Sequence, residues 1–181
     1  MSSNVLDKVF GRLGNRMFQL FFIYALAKRG QIPDIYLQSD EYFSEFKDDI
    51  KEILRQDVKE NDMVGIHVRR GDYVDNPFYV DLTKTDYYDK AMKLFPGERF
   101  IIFSDDIDWC KAKDTFRGCK FAIGSEWEDF NFLAGCKHVI TANSSFSWWA
   151  GYACNGKVVA PIEWYTDKVE RTKCPKEWIR L

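Results

Sequence analysis

Hydrophobic and polar positions follow a helical period over most of the first 60 residues. Residues 15–29 are apolar almost all round and stop before Gly30 and Pro33, which predicts a buried helix. Residues 40–60 predict a second helix with an apolar face made of Phe43, Phe46, Ile50, Ile53 and Leu54. Short apolar segments at 5–10 and 35–37 are strand candidates. We therefore expect residues 1–60 to form a small α/β portion.

From residue 61 onwards, short apolar segments alternate with helical ones. Strands are predicted at 63–68, 99–103, 120–123, 138–142 and 157–160. Helices are predicted between them, at 86–95, 106–113, 125–135 and 145–155. Ser125 and Glu128 have the spacing of a capping box at the start of the third of these helices. Strand and helix in alternation favour parallel pairing with right-handed crossovers. Residues 61–181 are thus predicted to form an α/β domain, a Rossmann-type parallel sheet flanked by helices.

Polar clusters follow three of the predicted strands, at 67–70, 104–106 and 142–145. In doubly wound sheets, ligands bind outside the carboxyl ends of the strands. These clusters therefore predict a cleft along one edge of the sheet.

Composition and charge narrow the class of protein. The net charge of -2 argues against a general nucleic-acid binder, which needs a basic face. The five cysteines are odd in number and none has the spacing of a zinc or redox motif, which indicates reduced thiols. No segment approaches the roughly 20 apolar residues of a membrane span. We expect a cytoplasmic protein, free or peripheral to a membrane.

The first chemical motif is the segment from His67 to Tyr73, with the sequence HVRRGDY. Alternation along a strand directs His67 and Arg69 to one face and Arg70 to the other. A guanidinium offers a planar fork of donors that matches phosphate oxygens in pairs. The segment indicates a phosphate site, or alternatively an arginine that only pairs with Asp72 at a strand end.

Two further segments have features of ligand contact. Residues 142–149 (ANSSFSWW) lead small polar side chains into a helix, whose N-terminus favours anions, although a simple serine cap also fits. Residues 11–15 (GRLGN) carry two glycines that permit close backbone approach. This third pattern alone is a weak signal.

Taken together, these segments resemble the α-1,2-fucosyltransferase family and, more loosely, the α-1,6- and protein O-fucosyltransferases. The similarity lies in GRLGNRMFQ at 11–19, HVRRGDY at 67–73 and ITANSSFSWW at 140–149. Residues 103–106 and 129–137 also fit the pattern of the family. The resemblance covers most of the predicted Rossmann-type domain.

The resemblance implies a GT-B-like architecture with GDP-fucose as donor, a glycan as acceptor, inversion at the sugar carbon, and no metal or other cofactor. By position, Arg69 matches the indispensable diphosphate ligand of the family and Arg70 an auxiliary one. His67 and Asp129 match positions near the guanine. The other matching positions line the phosphates and base or face the cleft from the N-terminal side, namely Asn143, Ser144, Ser145, Phe146, Gly11, Gly14 and Asn15.

Transfer of the sugar leaves negative charge on the β-phosphate of GDP. Without a metal, Arg69 and the amides at Ser144 and Ser145 are expected to stabilise that charge. Asp72 is the candidate general base nearest in sequence. Arg69 and Asp72 are therefore the predicted catalytic residues.

The segment between the first two motifs is shorter than in the family, so the chain is expected to have a reduced N-terminal, acceptor-side portion. We expect self-association, as a homo-oligomer, to cover the apolar faces of 15–29 and 40–60. Two alternatives stay open. One is a non-catalytic GDP-sugar-binding protein. The other is a metal-dependent nucleotide-sugar transferase that uses Asp106 and Asp108.

Overall fold

The computed structural model of the protein describes residues 13–29 and 40–181. The strand candidates at 5–10 and 35–37 lie outside these ranges, as does Gly11. All structural statements below concern the described residues.

The N-terminal part of the chain is helical where it is described. Helix α1 spans Leu13–Arg29, as predicted to within two residues. The prediction of one helix over 40–60 is wrong, because two 3₁₀ turns at Asp40–Tyr42 and Ser44–Phe46 precede a short helix α2, Lys47–Leu54. Its Ile50 and Leu54, one turn apart, are buried, whereas Ile53 is exposed.

The rest of the chain forms a six-stranded parallel sheet. The strands are β1 (Val64–Val68), β2 (Phe100–Ser104), β3 (Lys120–Phe121), β4 (His138–Ile140), β5 (Val158–Ala160) and β6 (Ile179–Arg180). The helices that follow four of them in turn are α3 (Tyr87–Met92), α4 (Ile107–Lys111), α5 (Glu126–Ala134) and α6 (Ser145–Ala153). The Rossmann-type prediction is confirmed, and β6, a two-residue strand, is the addition that the sequence pattern did not predict.

The order of the strands in the sheet is β3-β2-β1-β4-β5-β6, which is the order of a Rossmann fold. All neighbouring pairs are parallel. The order reverses between β1 and β4, so the crossovers on either side of this pair leave in opposite directions and open a crevice at their carboxyl ends. The motif at 67–70 and the motif at 142–145 both begin there.

Side chains of the strands alternate between two hydrophobic clusters, one on each face of the sheet. Ile101, Phe103 and Val139 pack on the face covered by α1, α5 and α6. Val64, Ile66 and Ile102 pack on the face covered by α3 and α4. Every residue of β1 is buried, as expected of a central parallel strand with helices on both faces.

Helix α1 packs on α6 through aromatic side chains. The ring of Phe18 lies 4.5 Å from that of Trp148 and 4.7 Å from that of Trp149, between ring centroids. Phe43, from the turn after Asp40–Tyr42, stacks on Trp149 at 5.4 Å. We expected a second copy of the chain to cover the apolar faces of 15–29 and 40–60. Much of this surface is instead covered by α6 of the same chain. Self-association and the division of the chain at residue 60 both stay predictions.

The cysteines and the lengths of the helices can be compared with the predictions of reduced thiols and of no membrane span. All five cysteines are free. Among the described residues, no helix combines the length and apolar character that crossing a bilayer requires.

Candidate functional site

A cavity of about 480 Å³ opens at the carboxyl ends of β1, β2 and β4. Its volume is within the usual range of about 300–1,000 Å³ for small-molecule sites. It is lined by nine of the residues predicted from the sequence, namely Gly14, Asn15, His67, Arg69, Asp72, Asp129, Ser144, Ser145 and Phe146. The structure therefore brings all three motifs to one site.

Among the described residues that line this cavity, Arg69 is the cation, and two carboxylates flank it. Its Nη1 donates to Oδ2 of Asp105, and its Nη2 donates to Oδ1 of Asp72. The side chain of Arg69 is only 10% exposed, whereas that of Asp72 is 60% exposed. The ion pair between Arg69 and Asp72, which the sequence offered as an alternative to a phosphate site, is present. Both residues line the cavity, however, and the Asp72 carboxylate is largely exposed to solvent.

Asp105 fixes the approach of β1 to the cavity. Its Oδ1 accepts the backbone N–H of Arg70 at 2.8 Å, while its Oδ2 accepts from the side chain of Arg69. The next residue, Gly71, has φ +23° and directly faces Asp105, so a Cβ there would collide with Oδ2. Glycine at this position lets the chain turn while the Asp105 carboxylate accepts from the side chain of Arg69 and the backbone N–H of Arg70.

Three of the lining residues supply a neutral imidazole, a phenyl ring and a carboxylate. The ring of His67 lies 5.1 Å from that of Phe146. Burial, reinforced by the charge of Arg69, lowers the pKa of His67 to about 3, so this ring is uncharged at neutral pH. Asp129, in α5, accepts the backbone N–H of Gly124 at 3.1 Å, and burial raises the pKa of its carboxyl. Its other oxygen makes no hydrogen bond that the described residues supply.

The N-terminus of α6 forms the floor of the cavity. Ser144, at the N-cap, makes no side-chain capping hydrogen bond, so its hydroxyl does not occupy the first-turn N–H groups. Ser145 Oγ donates to Asn15 Oδ1 at 2.7 Å. A Cβ on Gly14 would collide with the backbone of Ser145 and Phe146. Gly14 thus permits the first turn of α1 to rest on the first turn of α6.

Arg70 lies on the other side of β1. Its guanidinium carbon is 3.7 Å from the ring centroid of Trp109, and its Nε donates to Oδ2 of Asp106 at 3.1 Å. Its Nη1 donates to Oγ1 of Thr83 at 3.3 Å. Alternation predicted this direction, and Arg70 is not among the residues that line the cavity.

Asn143 is buried beside the cavity rather than lining it. Its Nδ2 donates to the carbonyl oxygen of Val80 at 2.9 Å and to that of Trp164 at 3.0 Å. It therefore joins two distant segments of chain to the end of β4.

The two aspartates of the metal-dependent alternative have separate surroundings. Asp106 caps α4 through the backbone N–H of Trp109 at 3.2 Å and pairs with Arg70. The side chain of Asp108 is 95% exposed and pairs with Lys111 at 3.1 Å. Neither lines the cavity, so the geometry does not favour that alternative.

Sequence reasoning missed one group of residues that line the cavity. It is aromatic and consists of Tyr73, Tyr79, Trp164 and Tyr165. Tyr73 belongs to a recognised motif, but the others come from irregular segments without periodicity. The aromatic content of 17% is the sequence feature that could have indicated such a group, but a composition does not show which aromatic residues lie together.

Comparison with known proteins gives one family and several relatives. The family model described as glycosyl transferase family 11 matches residues 20–181. An alpha-1,2-colitosyltransferase of Escherichia coli is 33% identical over 81% of this chain and 61% of its own length. The O-antigen biosynthesis glycosyltransferase WbnK of Escherichia coli is 33% identical over 71% of this chain and 48% of its own length.

A primate protein is also similar. The galactoside alpha-(1,2)-fucosyltransferase 1 of Saimiri sciureus is 30% identical over 58% of this chain and 32% of its own length. The aligned part of the chain thus spans between 32% and 61% of the length of these three relatives.

Proposed function

This chain belongs to glycosyl transferase family 11, and we propose that it transfers fucose from GDP-fucose to a hydroxyl of a β-galactoside glycan. We further propose that the linkage is α-1,2, that the sugar carbon is inverted and that no metal takes part. The names of two of the relatives, a colitosyltransferase and a fucosyltransferase, support the α-1,2 linkage, and the latter supports a galactoside acceptor.

One observation carries the proposal: a single cavity is lined by groups suited to a base, by a cation and by a helix N-terminus without a side-chain cap. The first are His67, Phe146 and Asp129, the second is Arg69 and the third is the first turn of α6. A nucleoside diphosphate needs all three of these surroundings. Arginine with helix amides is a common way to hold phosphate oxygens.

The guanine would lie at the His67 end. A carboxylate at Asp129 can accept from both the N1–H and the exocyclic amine of guanine. Uracil offers a single N–H flanked by carbonyl oxygens, which a carboxylate repels. The neutral ring of His67 and the phenyl ring of Phe146 add apolar contact to the base without adding charge.

Departure of GDP develops negative charge on the β-phosphate. Arg69 and the first-turn amides of α6 are positioned to stabilise it, and they do so without reorganising because Asp105 already holds the guanidinium. The diphosphate would displace Asp72 from Nη2 of Arg69, since Asp72 is the more exposed of the two partners. We propose that the displaced Asp72 carboxylate, whose side chain is 60% exposed, then turns towards the acceptor and accepts the proton of its hydroxyl.

The proposal is tested by incubating the chain with GDP-fucose and lactose in excess EDTA. We expect a fucosylated lactose whose anomeric proton in NMR reports an α linkage, with one GDP released for each product. Tight binding of GDP without turnover would favour the non-catalytic alternative. Activity that EDTA abolishes and Mn²⁺ or Mg²⁺ restores would contradict the metal-free mechanism.

The two adjacent arginines provide a matched pair for the same assay. Arg69→Ala should lower turnover about 100- to 1,000-fold, the usual loss when one donor to a developing oxyanion is removed. Arg69→Lys should recover little, because an ammonium cannot form the bidentate fork. Arg70→Ala should lower the melting temperature, through loss of its contacts with Trp109 and Asp106, but should reduce the turnover of folded protein far less. Near-normal turnover in a folded Arg69→Ala protein would end the assignment.

A further inference from the structure

The aromatic side of the cavity is built by two distant segments that pair with each other. Tyr79 and Tyr165 form an antiparallel bridge. The backbone N–H of Val80 donates to the carbonyl of Trp164 at 3.1 Å, and that of Thr166 to the carbonyl of Phe78 at 3.1 Å. Because the amide of Asn143 donates to the carbonyls of Val80 and Trp164, this junction is fixed to the end of β4. The aromatic side is therefore part of the scaffold.

Three tyrosines along this junction form a continuous row, which we call the tyrosine wall (Tyr73, Tyr79 and Tyr165). Tyr73 and Tyr79 stack at 3.9 Å with an interplanar angle of 5°, and Tyr165 follows at 5.6 Å from Tyr79. The guanidinium carbon of Arg69 lies 5.3 Å from the ring centroid of Tyr73. All three tyrosines line the cavity. The wall therefore begins at the proposed phosphate ligand and extends away from it.

The chemistry of the wall suits a pyranose ring. Aromatic carbon packs against the C–H groups of a sugar, and phenol hydroxyls exchange hydrogen bonds with its hydroxyls. Burial raises the pKa of Tyr73 far above its ordinary value, and burial also raises the pKa of Tyr165, so both stay uncharged at neutral pH. The guanidinium of Arg69 contacts the ring of Tyr73.

We propose that the tyrosine wall is the subsite for the terminal pyranose of the acceptor. This inference rests on the proposed function, because the position of Arg69 defines where the donor's sugar–phosphate bond would lie. The acceptor hydroxyl must approach that bond from the side opposite the departing phosphate. Of the lining residues not assigned to base or phosphates, the three tyrosines and Trp164 are neutral and aromatic, and Tyr73 contacts Arg69 directly. The donor's own sugar is the other pyranose that could occupy it.

The test uses Tyr79→Leu, which removes the central ring and leaves a shorter apolar side chain. Lactose binding to GDP-loaded protein is followed by saturation-transfer NMR, and lactose KM by turnover. We expect lactose affinity to fall and KM to rise about tenfold, as for loss of an aromatic contact, while the Kd of GDP changes less than about twofold. Tyr79→Phe keeps the ring and should lose only part of this effect.

The matched control is Phe78→Ala. Phe78 contacts Tyr79 and Tyr165 from outside, at 5.6 Å each, is 49% exposed and does not line the cavity. It should leave both lactose and GDP binding unchanged. If Tyr79→Leu fails to fold by its melting curve, Tyr165→Leu carries the same comparison, because Tyr165 is the next ring of the wall after Tyr79.

Each outcome decides the proposal. Unchanged lactose affinity in a folded Tyr79→Leu protein overturns it, as does absence of lactose binding to the GDP-loaded wild type. The Tyr79→Leu variant could instead bind lactose and GDP normally but bind GDP-fucose less tightly than the wild type does. That result would assign the wall to the donor sugar and would also overturn the proposal. A wild-type chain that does not bind GDP instead contradicts the proposed function, on which this inference depends.

Discussion

Arg69 and Arg70 are adjacent in sequence, yet one lines the cavity and the other packs on α4. Strand alternation continued past the end of β1 at Val68 predicts this difference, although both arginines follow the strand and Arg70 directly precedes the 3₁₀ turn Gly71–Tyr73. The role of Asn143 could not be predicted in the same way. Its hydrogen-bond partners are 63 and 21 residues away in the chain, and they meet it only after the fold has formed.

Asp129 gives a prediction about pH. Burial raises the pKa of this carboxyl, so it takes up a proton at a higher pH than an ordinary aspartate does. Guanine needs the ionised form, so GDP affinity should weaken as the pH is lowered from neutral towards the ordinary aspartate pKa of about 4, and the loss should begin at a higher pH than an ordinary aspartate would give. His67, with a pKa of about 3, stays neutral throughout this range and does not contribute. Calorimetric titration of GDP at several pH values measures the effect.

Asp129→Asn removes the group that titrates. A charge-assisted hydrogen bond contributes about 1.5–3 kcal/mol, so GDP affinity at neutral pH should fall at least about tenfold. The variant should also lose the part of the pH dependence that Asp129 contributes, leaving the part due to the terminal phosphate of GDP, which ionises near about pH 6. Folding disfavours the charged carboxylate, as its raised pKa shows, so the melting temperature at neutral pH should not fall. Glu126→Gln neutralises another carboxylate of the cavity and is the control. If both variants lose GDP affinity equally, general charge rather than guanine contact is responsible.

At the scale of elements, the site depends on contact between the first turns of α1 and α6. Gly14 allows this contact, because a Cβ would meet the backbone of Ser145 and Phe146 rather than a flexible side chain. Gly14→Ala should therefore force the helices apart, destabilise the fold by about 1–3 kcal/mol and weaken GDP binding. Thermal melting and calorimetry on one preparation check this.

Leu20→Ala is the control for that experiment, since Leu20 lies on the outer side of the same helix and is 37% exposed. It should leave GDP affinity unchanged. A Gly14→Ala protein with wild-type melting temperature and GDP affinity would show that the contact between the two helices is not needed.

Elements with strong periodicity were predictable and the others were not. The capping box of Ser125 and Glu128 marked the start of α5 correctly. The segment 40–60 has a helical pattern, but its first turns are 3₁₀, and Phe43 packs on Trp149 of a distant helix. The segments 73–79 and 164–166 have no period at all. Their structure comes from backbone pairing with each other, which no local pattern encodes.

At the scale of the whole molecule, strand order determines where chemistry is placed. The order β3-β2-β1-β4-β5-β6 puts the reversal between β1 and β4. Two motifs that are distant in the sequence therefore meet at one crevice: Arg69 and Ala142, for example, are 73 residues apart. Both the sequence and the fold therefore predict the same location for the ligand. The tyrosine wall closes that crevice on its remaining side.

The central claim is that this crevice recognises GDP without a metal. It is tested most directly by calorimetric titration of the wild-type chain with GDP and, separately, with UDP, both in excess EDTA. The account predicts one GDP per chain, bound at least about tenfold more tightly than UDP. Equal affinity for the two nucleotides, or GDP binding that appears only when a divalent cation replaces EDTA, would contradict it.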